Sequence, residues 1–192
     1  MNDKLLFNII LLGPPASGAK TSLRDRIVRN TFSYALLSTH GIDFLSCGVE
    51  TKNGIVKLRI WDTAGQDRFR SRYTNYFRNS HCFILGYDIT DENSFQSIKN
   101  EFYDIALSNF EGTQVKKPLI YLVANKIDLE DEIKVSDEEA MSFANEKKIP
   151  YFKVSAKTRE GVDFLINHIA NSLIKQFSNT NIKENKKIKI DE

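Results

Sequence analysis

The apolar positions of this chain fall into two periods. Short, largely apolar runs at 4–12, 42–51, 54–62, 81–88, 118–124 and 149–154 have the length and bulk of strands held inside a sheet. Between them apolar residues recur at helical spacing. Leu23 and Ile27 mark a helix over 23–30, and Phe95, Ile98, Phe102 and Ile105, with Asn109 in the same phase, mark one over 91–109. Ala140, Phe143 and Ala144 mark a third over 136–148, opened by the capping box Ser136-Asp137-Glu138-Glu139. Leu165, Ile169, Leu173 and Phe177 mark the last, over 162–177. Lys52-Asn53-Gly54 joins two of the runs, and Asn-Gly there signals a tight antiparallel hairpin. Strands alternating with helices, plus one hairpin, predict an α/β fold: a three-layer sandwich on a mostly parallel six-stranded sheet. The domain is expected over 1–177. Residues 178–192 are polar and lysine-rich without an apolar stripe, which predicts a disordered tail.

Composition narrows the class. At 192 residues, 41% hydrophobic and 27% charged, the chain reads as one ordinary globular domain. A net charge of +2 argues against a dedicated nucleic-acid binder. Cys47 and Cys82 fall in expected strands at spacings suited to neither a metal site nor a disulfide framework, so they read as buried thiols in a reducing compartment. No apolar run approaches the roughly 18 residues of a membrane-spanning helix. Met1-Asn2-Asp3-Lys4 opens neither a signal peptide nor a myristoylation site. The expectation is a cytoplasmic protein.

The candidate chemistry lies where the strands end, the edge at which open α/β sheets bind ligands. The first run stops at Gly13-Pro14-Pro15-Ala16-Ser17-Gly18-Ala19-Lys20-Thr21-Ser22. A strand, a Gly-rich loop, a lysine followed by a hydroxyl residue and then a helix is the layout of a P-loop. Backbone N–H groups and a helix N-terminus capture phosphates there, and the lysine adds a point charge. The match to G-x-x-x-x-G-K-S/T is imperfect, because Ala19 separates Gly18 from Lys20. Counted back from Lys20, Ala19 takes the second-glycine position, the loop is one residue longer, and Thr21 is the magnesium-ligating hydroxyl. Counted forward from Gly13, Ala19 falls at the lysine position and Lys20 at the hydroxyl position. The first register is preferred, since Ser17, Gly18, Ala19, Lys20, Thr21 and Ser22 then keep their N–H donors beyond the prolines. It places an alanine where glycine eases close backbone approach.

The third run ends in Ile60-Trp61-Asp62-Thr63-Ala64-Gly65-Gln66. Asp62 can orient magnesium through water, Gly65 can offer its N–H to a terminal phosphate, and Gln66 can position an attacking water. The fifth run ends in Asn125-Lys126-Ile127-Asp128. The Asp128 carboxylate can accept from both N1 and N2 hydrogens of guanine, a donor pair that adenine lacks. The sixth run ends in Ser155-Ala156-Lys157.

Together these strings resemble the nucleotide motifs of Ras-superfamily small GTPases, and the tryptophan of WDTAGQ favours the Rab branch, which serves signalling and vesicle trafficking. The resemblance covers roughly 5–177. Ser38-Thr39-His40-Gly41-Ile42-Asp43-Phe44 looks like the Rab first switch, with Thr39 at the family's distance from Lys20 in the preferred register. By resemblance Thr39 is a second magnesium ligand, and Phe32 lies against the guanine edge. Lys126 lies along the base, and Asn125 ties its loop to the P-loop. The Ala156 N–H meets the guanine oxygen beside Ser155, and the Lys157 stem covers the ring. The resemblance implies GTP/GDP and Mg2+ as ligands and slow hydrolysis to GDP and phosphate. It also implies an effector, an exchange factor and a GTPase-activating protein at a surface holding Phe44, Trp61 and Tyr76, although these aromatics can equally belong to the core. Ala16 stands where the family needs glycine beside the γ-phosphate, so weak hydrolysis, or a scaffold that holds nucleotide without turnover, is an alternative. The Gly-Pro-Pro loop also resembles that of adenylate kinases, a reading that leaves NKID and SAK unexplained. The sequence shows no terminal prenylation cysteines, so no lipid anchor is expected. Lys183, Lys186, Lys187 and Lys189 would give only weak attraction to a membrane surface.

Overall fold

A computed structural model describes residues 5–15, 19–34, 42–63, 77, 79–108 and 117–178. Ala16, Ser17, Gly18, Thr39, Gly65, Gln66, Tyr76 and Asn109, and the tail expected beyond Ser178, lie outside these residues. The strands are β1 (Leu6–Leu12), β2 (Ile42–Thr51), β3 (Gly54–Thr63), β4 (Cys82–Asp88), β5 (Leu119–Asn125) and β6 (Tyr151–Lys153). They form one sheet in the order β2-β3-β1-β4-β5-β6. Only β2 and β3 pair antiparallel, with Thr51 opposite Gly54 across the Asn53 turn. The other neighbours run parallel. The α/β class, six strands and single hairpin match the expectation.

Both faces of the sheet are covered, so side chains alternating along each strand enter two cores. Phe7, Ile9 and Leu11 of β1 join Leu23 of α1 (Thr21–Arg29) and the inward stripe Leu165, Ile169 and Leu173. Ile10 and Leu12 join Phe95, Ile98, Phe102, Ala140 and Phe143 on the opposite face. Cys82 is buried as expected, whereas Cys47 is only half-buried. β2 is an edge strand with a neighbour on one side only, which leaves Cys47 partly open to solvent.

The helix expected over 91–109 is broken into α2 (Glu92–Ser97), a π-helical turn (Ile98–Phe102) and α3 (Tyr103–Ser108). A π turn inserts one residue into the helical phase. The last buried position is therefore Ala106, with Ile105 left half-buried. α4 (Asp137–Lys147) starts at the expected cap, where Ser136 Oγ accepts from the Glu139 N–H. α5 (Val162–Leu173) continues into a second π turn, Ile174–Ser178. Among the described residues no helix is long and apolar enough to cross a membrane.

Candidate functional site

The carboxyl ends of β1, β3, β5 and the chain after β6 converge on one edge of the sheet. β1 leads into Gly13, where a Cβ would stand 2.3 Å from the Gly86 carbonyl oxygen of β4, so only glycine fits. The loop returns through Ala19, fully buried, into α1. Lys20 is buried too, and its ammonium donates to the Gly13 carbonyl at 2.8 Å and the Pro14 carbonyl at 2.5 Å, closing the loop on itself. Burial pulls the Lys20 ammonium down to about 8, against the opposing effect of the Asp62 charge.

The Thr21 hydroxyl donates to Asp62 Oδ2 at 2.5 Å, joining the first turn of α1 to the end of β3. Asp62 is completely buried. A hydroxyl and a carboxylate side by side are hard oxygen donors, the type magnesium prefers, so this pair fits the metal.

At the other end of the edge, Asn125 is a three-way clasp, itself wholly buried. Its Nδ2 donates to the Ala19 carbonyl at 3.2 Å. Its Oδ1 accepts from the Lys126 N–H at 2.8 Å and from the Ala156 N–H at 3.0 Å. Ser155 Oγ donates to Asp128 Oδ1 at 2.5 Å, and the Lys157 ammonium lies 3.6 Å from Asp128 Oδ2. One hydrogen-bonded path therefore runs from the residue before Lys20, through Asn125, to the Ser155–Lys157 turn and Asp128. Lys126 has a positive φ of 69°, a strained conformation for a non-glycine residue. Its ammonium pairs with Asp88 Oδ2 at 2.5 Å, while Asp88 Oδ1 accepts from the N–H and hydroxyl of Thr90.

A match to the Ras family extends over residues 8–175. The chain belongs to the Ras family. It is 34% identical over 178 residues to the Ras-related protein SEC4 of Candida albicans, covering 93% of this chain and 82% of that one. It is 36% identical over 182 residues to Ras-related protein Rab-13 of Bos taurus, covering 95% and 87%. It is 35% identical over 187 residues to Ras-related protein RabC of Dictyostelium discoideum, covering 96% and 92%. This Ras-family protein is accordingly a Rab-like, GTP-binding small GTPase, and the adenylate-kinase reading falls away.

Two arginines of α1, neither of them in the motifs, lie against these segments. Arg26 fastens the helix to the Ser155–Lys157 turn: Nε donates to the Ala156 carbonyl at 2.6 Å and Nη2 to the Lys157 carbonyl at 2.7 Å. Its Nη1 caps the helix end at Asn30, whose φ of 55° is left-handed. Arg24 follows Lys20 by four residues, one turn along the chain into α1. Phe32 meets Tyr34 edge to face at 5.1 Å, and the Lys157 ammonium lies 5.8 Å from the Tyr34 ring centre. Tyr34, 80% exposed, is thus a further aromatic at the Asp128 end.

On β2 and β3 the cross-strand partners Phe44 and Trp61 pack at 4.6 Å, and the Arg59 guanidinium lies over the Phe44 ring at 4.9 Å. Phe44 is 43% exposed, whereas Trp61 is half-buried against the second core and donates to Asn8 Oδ1 at 3.3 Å. Phe44 is thus a surface residue and Trp61 a largely internal one.

Proposed function

We propose that this GTPase is a magnesium-dependent switch of the Rab type, serving vesicle trafficking through partners that read its nucleotide state. The observation that supports this most is the Asn125 clasp, because it ties the lysine loop to the Ser155–Lys157 turn beside Asp128, as one nucleotide spanning both would require. The contacts of Lys20 and Thr21 favour the register in which they are the loop's lysine and hydroxyl residue. In this account Asp128 accepts from the guanine edge and Ser155 holds that carboxylate in place. Ala156 meets the guanine oxygen, while Phe32, Lys126 and Lys157 bound the base and ribose. Lys20 neutralises the phosphates, and Ser17, Gly18, Ala19 and Ser22 offer backbone N–H groups to them. Thr21, Thr39 and, through water, Asp62 would hold magnesium. Bound there, the metal would supply charge neutralisation at the β- and γ-phosphates.

Gly65 would sense the γ-phosphate and Gln66 would place the hydrolytic water. By the resemblance Ala16 would stand beside that phosphate, where its side chain could crowd Gln66 or an incoming arginine, so turnover would be slow alone. Exposed Phe44, backed by Arg59 and Trp61 and joined by Tyr76, would form the surface for an effector, an exchange factor and an activating protein. Membrane contact would be indirect. A second reading, a nucleotide-holding scaffold without turnover, is favoured by the extra loop residue and by Ala16. Single-turnover hydrolysis of bound GTP separates the two. Phosphate release above the spontaneous rate supports the switch, and none, with or without an activating partner, supports the scaffold.

A further inference from the structure

Arg24 is a buried cation beside the oxygen pair that would hold magnesium, and none of the motifs above accounts for it. It is only 6% exposed. Its Nη1 lies 3.6 Å from Asp62 Oδ2 and 3.0 Å from Asp43 Oδ2, and its Nη2 lies 2.9 Å from Asp25 Oδ1. The guanidinium is thereby pinned by carboxylates from α1, β2 and β3. Asp62 Oδ2, which also accepts from Thr21, is the oxygen this cation faces. A guanidinium does not lose its proton in a protein, so its charge at Asp62 is permanent.

We propose that Arg24 is a resident competitor for the metal: a fixed positive charge that weakens magnesium binding and lets nucleotide stay bound when the metal is gone. The inference rests on the magnesium-dependent reading above. Two electrostatic consequences follow from one geometry. A divalent ion beside Thr21 and Asp62 would be repelled by Arg24 as well as by Lys20, which raises the metal concentration needed for saturation. With the metal removed, a phosphate at Lys20 would ordinarily face an uncompensated Asp62 carboxylate. Arg24 offsets that charge in place, which removes much of the repulsion that would expel the nucleotide. The same side chain joins the start of β2, just after the first switch segment, to the end of β3.

The test loads the full chain with a fluorescent GDP analogue. Its release into excess GDP is then followed at free magnesium from chelator to saturation. Wild-type release is expected to change by less than about tenfold over that range. Arg24→Met is expected to move the half-saturating magnesium at least about tenfold lower and to speed release in chelator by about tenfold or more. Asp43→Asn removes a carboxylate whose side chain is 60% exposed, so it spares the fold while leaving more of the Arg24 charge uncompensated. It is expected to move the half-point upward, and this variant decides the matter if Arg24→Met does not fold. Retained nucleotide with an unchanged half-point in Arg24→Met, or with an unchanged or lower one in Asp43→Asn, overturns the inference alone. Failure of the wild type to hold a guanine nucleotide at any magnesium concentration sinks the switch reading and this inference with it.

Discussion

Asn125→Ala removes the clasp between the two ends of the pocket. The amide makes three hydrogen bonds at 3.2, 2.8 and 3.0 Å, and the residue is wholly buried. Each neutral bond contributes about 1 kcal/mol net, and the Ala156 N–H, buried as well, would lose this acceptor at a further cost of about 1–3 kcal/mol. The total is about 4–6 kcal/mol. Because all three bonds lie within the protein, part of the loss falls on the fold itself. The urea midpoint should drop by about 1 M with an unchanged slope. The rest appears in GDP affinity, which should fall by about a hundredfold or more. Asn125→Asp retains an oxygen for the two N–H donors and puts a second oxygen against the Ala19 carbonyl, so it isolates the link to the lysine loop. That variant should lose about 1–2 kcal/mol. A midpoint within about 0.3 M of wild type together with GDP affinity within about threefold would refute the claim that this residue couples the two loops.

Lys20 makes nucleotide binding sensitive to alkali. Its folded value, about 8, lies below its ordinary 10.5, so between these values the unfolded chain binds the extra proton. The stability of the nucleotide-free protein should therefore rise with pH across that window, while its affinity for GDP falls as pH climbs past about 8. Calorimetry at pH 7, 8 and 9 checks both signs, and affinity flat to pH 9 would contradict the role given to this ammonium. Gly161→Ala tests the support of the Ser155–Lys157 turn. Its φ is +70° and a Cβ would stand 2.1 Å from the Lys153 carbonyl oxygen. A loss of about 3 kcal/mol, read as a fall of roughly 6–12 °C in melting temperature, is expected. A melting temperature unchanged by the alanine would show that the turn relaxes freely.

The sheet was legible because strands covered on both faces must be largely apolar, as β4 and β5 are up to their last residues, Asp88 and Asn125. The hairpin was legible from Asn53-Gly54 alone. The lysine loop was only partly so. Its two registers differ by one residue, and the letters Gly18-Ala19-Lys20 do not say which side chain turns back to the Gly13 and Pro14 carbonyls. Arg24 and Arg26 stayed hidden for a different reason. An arginine on a helix is ordinarily a solvated surface residue, and only the tertiary approach of Asp43, Asp62 and the Ser155–Lys157 turn gives these two their partners. The π turn at Ile98–Phe102 likewise leaves no mark in a stripe that still reads as helical on both sides of it.

The central claim is that one guanine nucleotide bridges Lys20 and Asp128. It is tested most directly by denaturing the freshly purified protein and identifying what it releases. GDP or GTP is expected in near-equal molar ratio to protein, with little adenine nucleotide. Release of no nucleotide, or of adenine and guanine nucleotides alike, would contradict it.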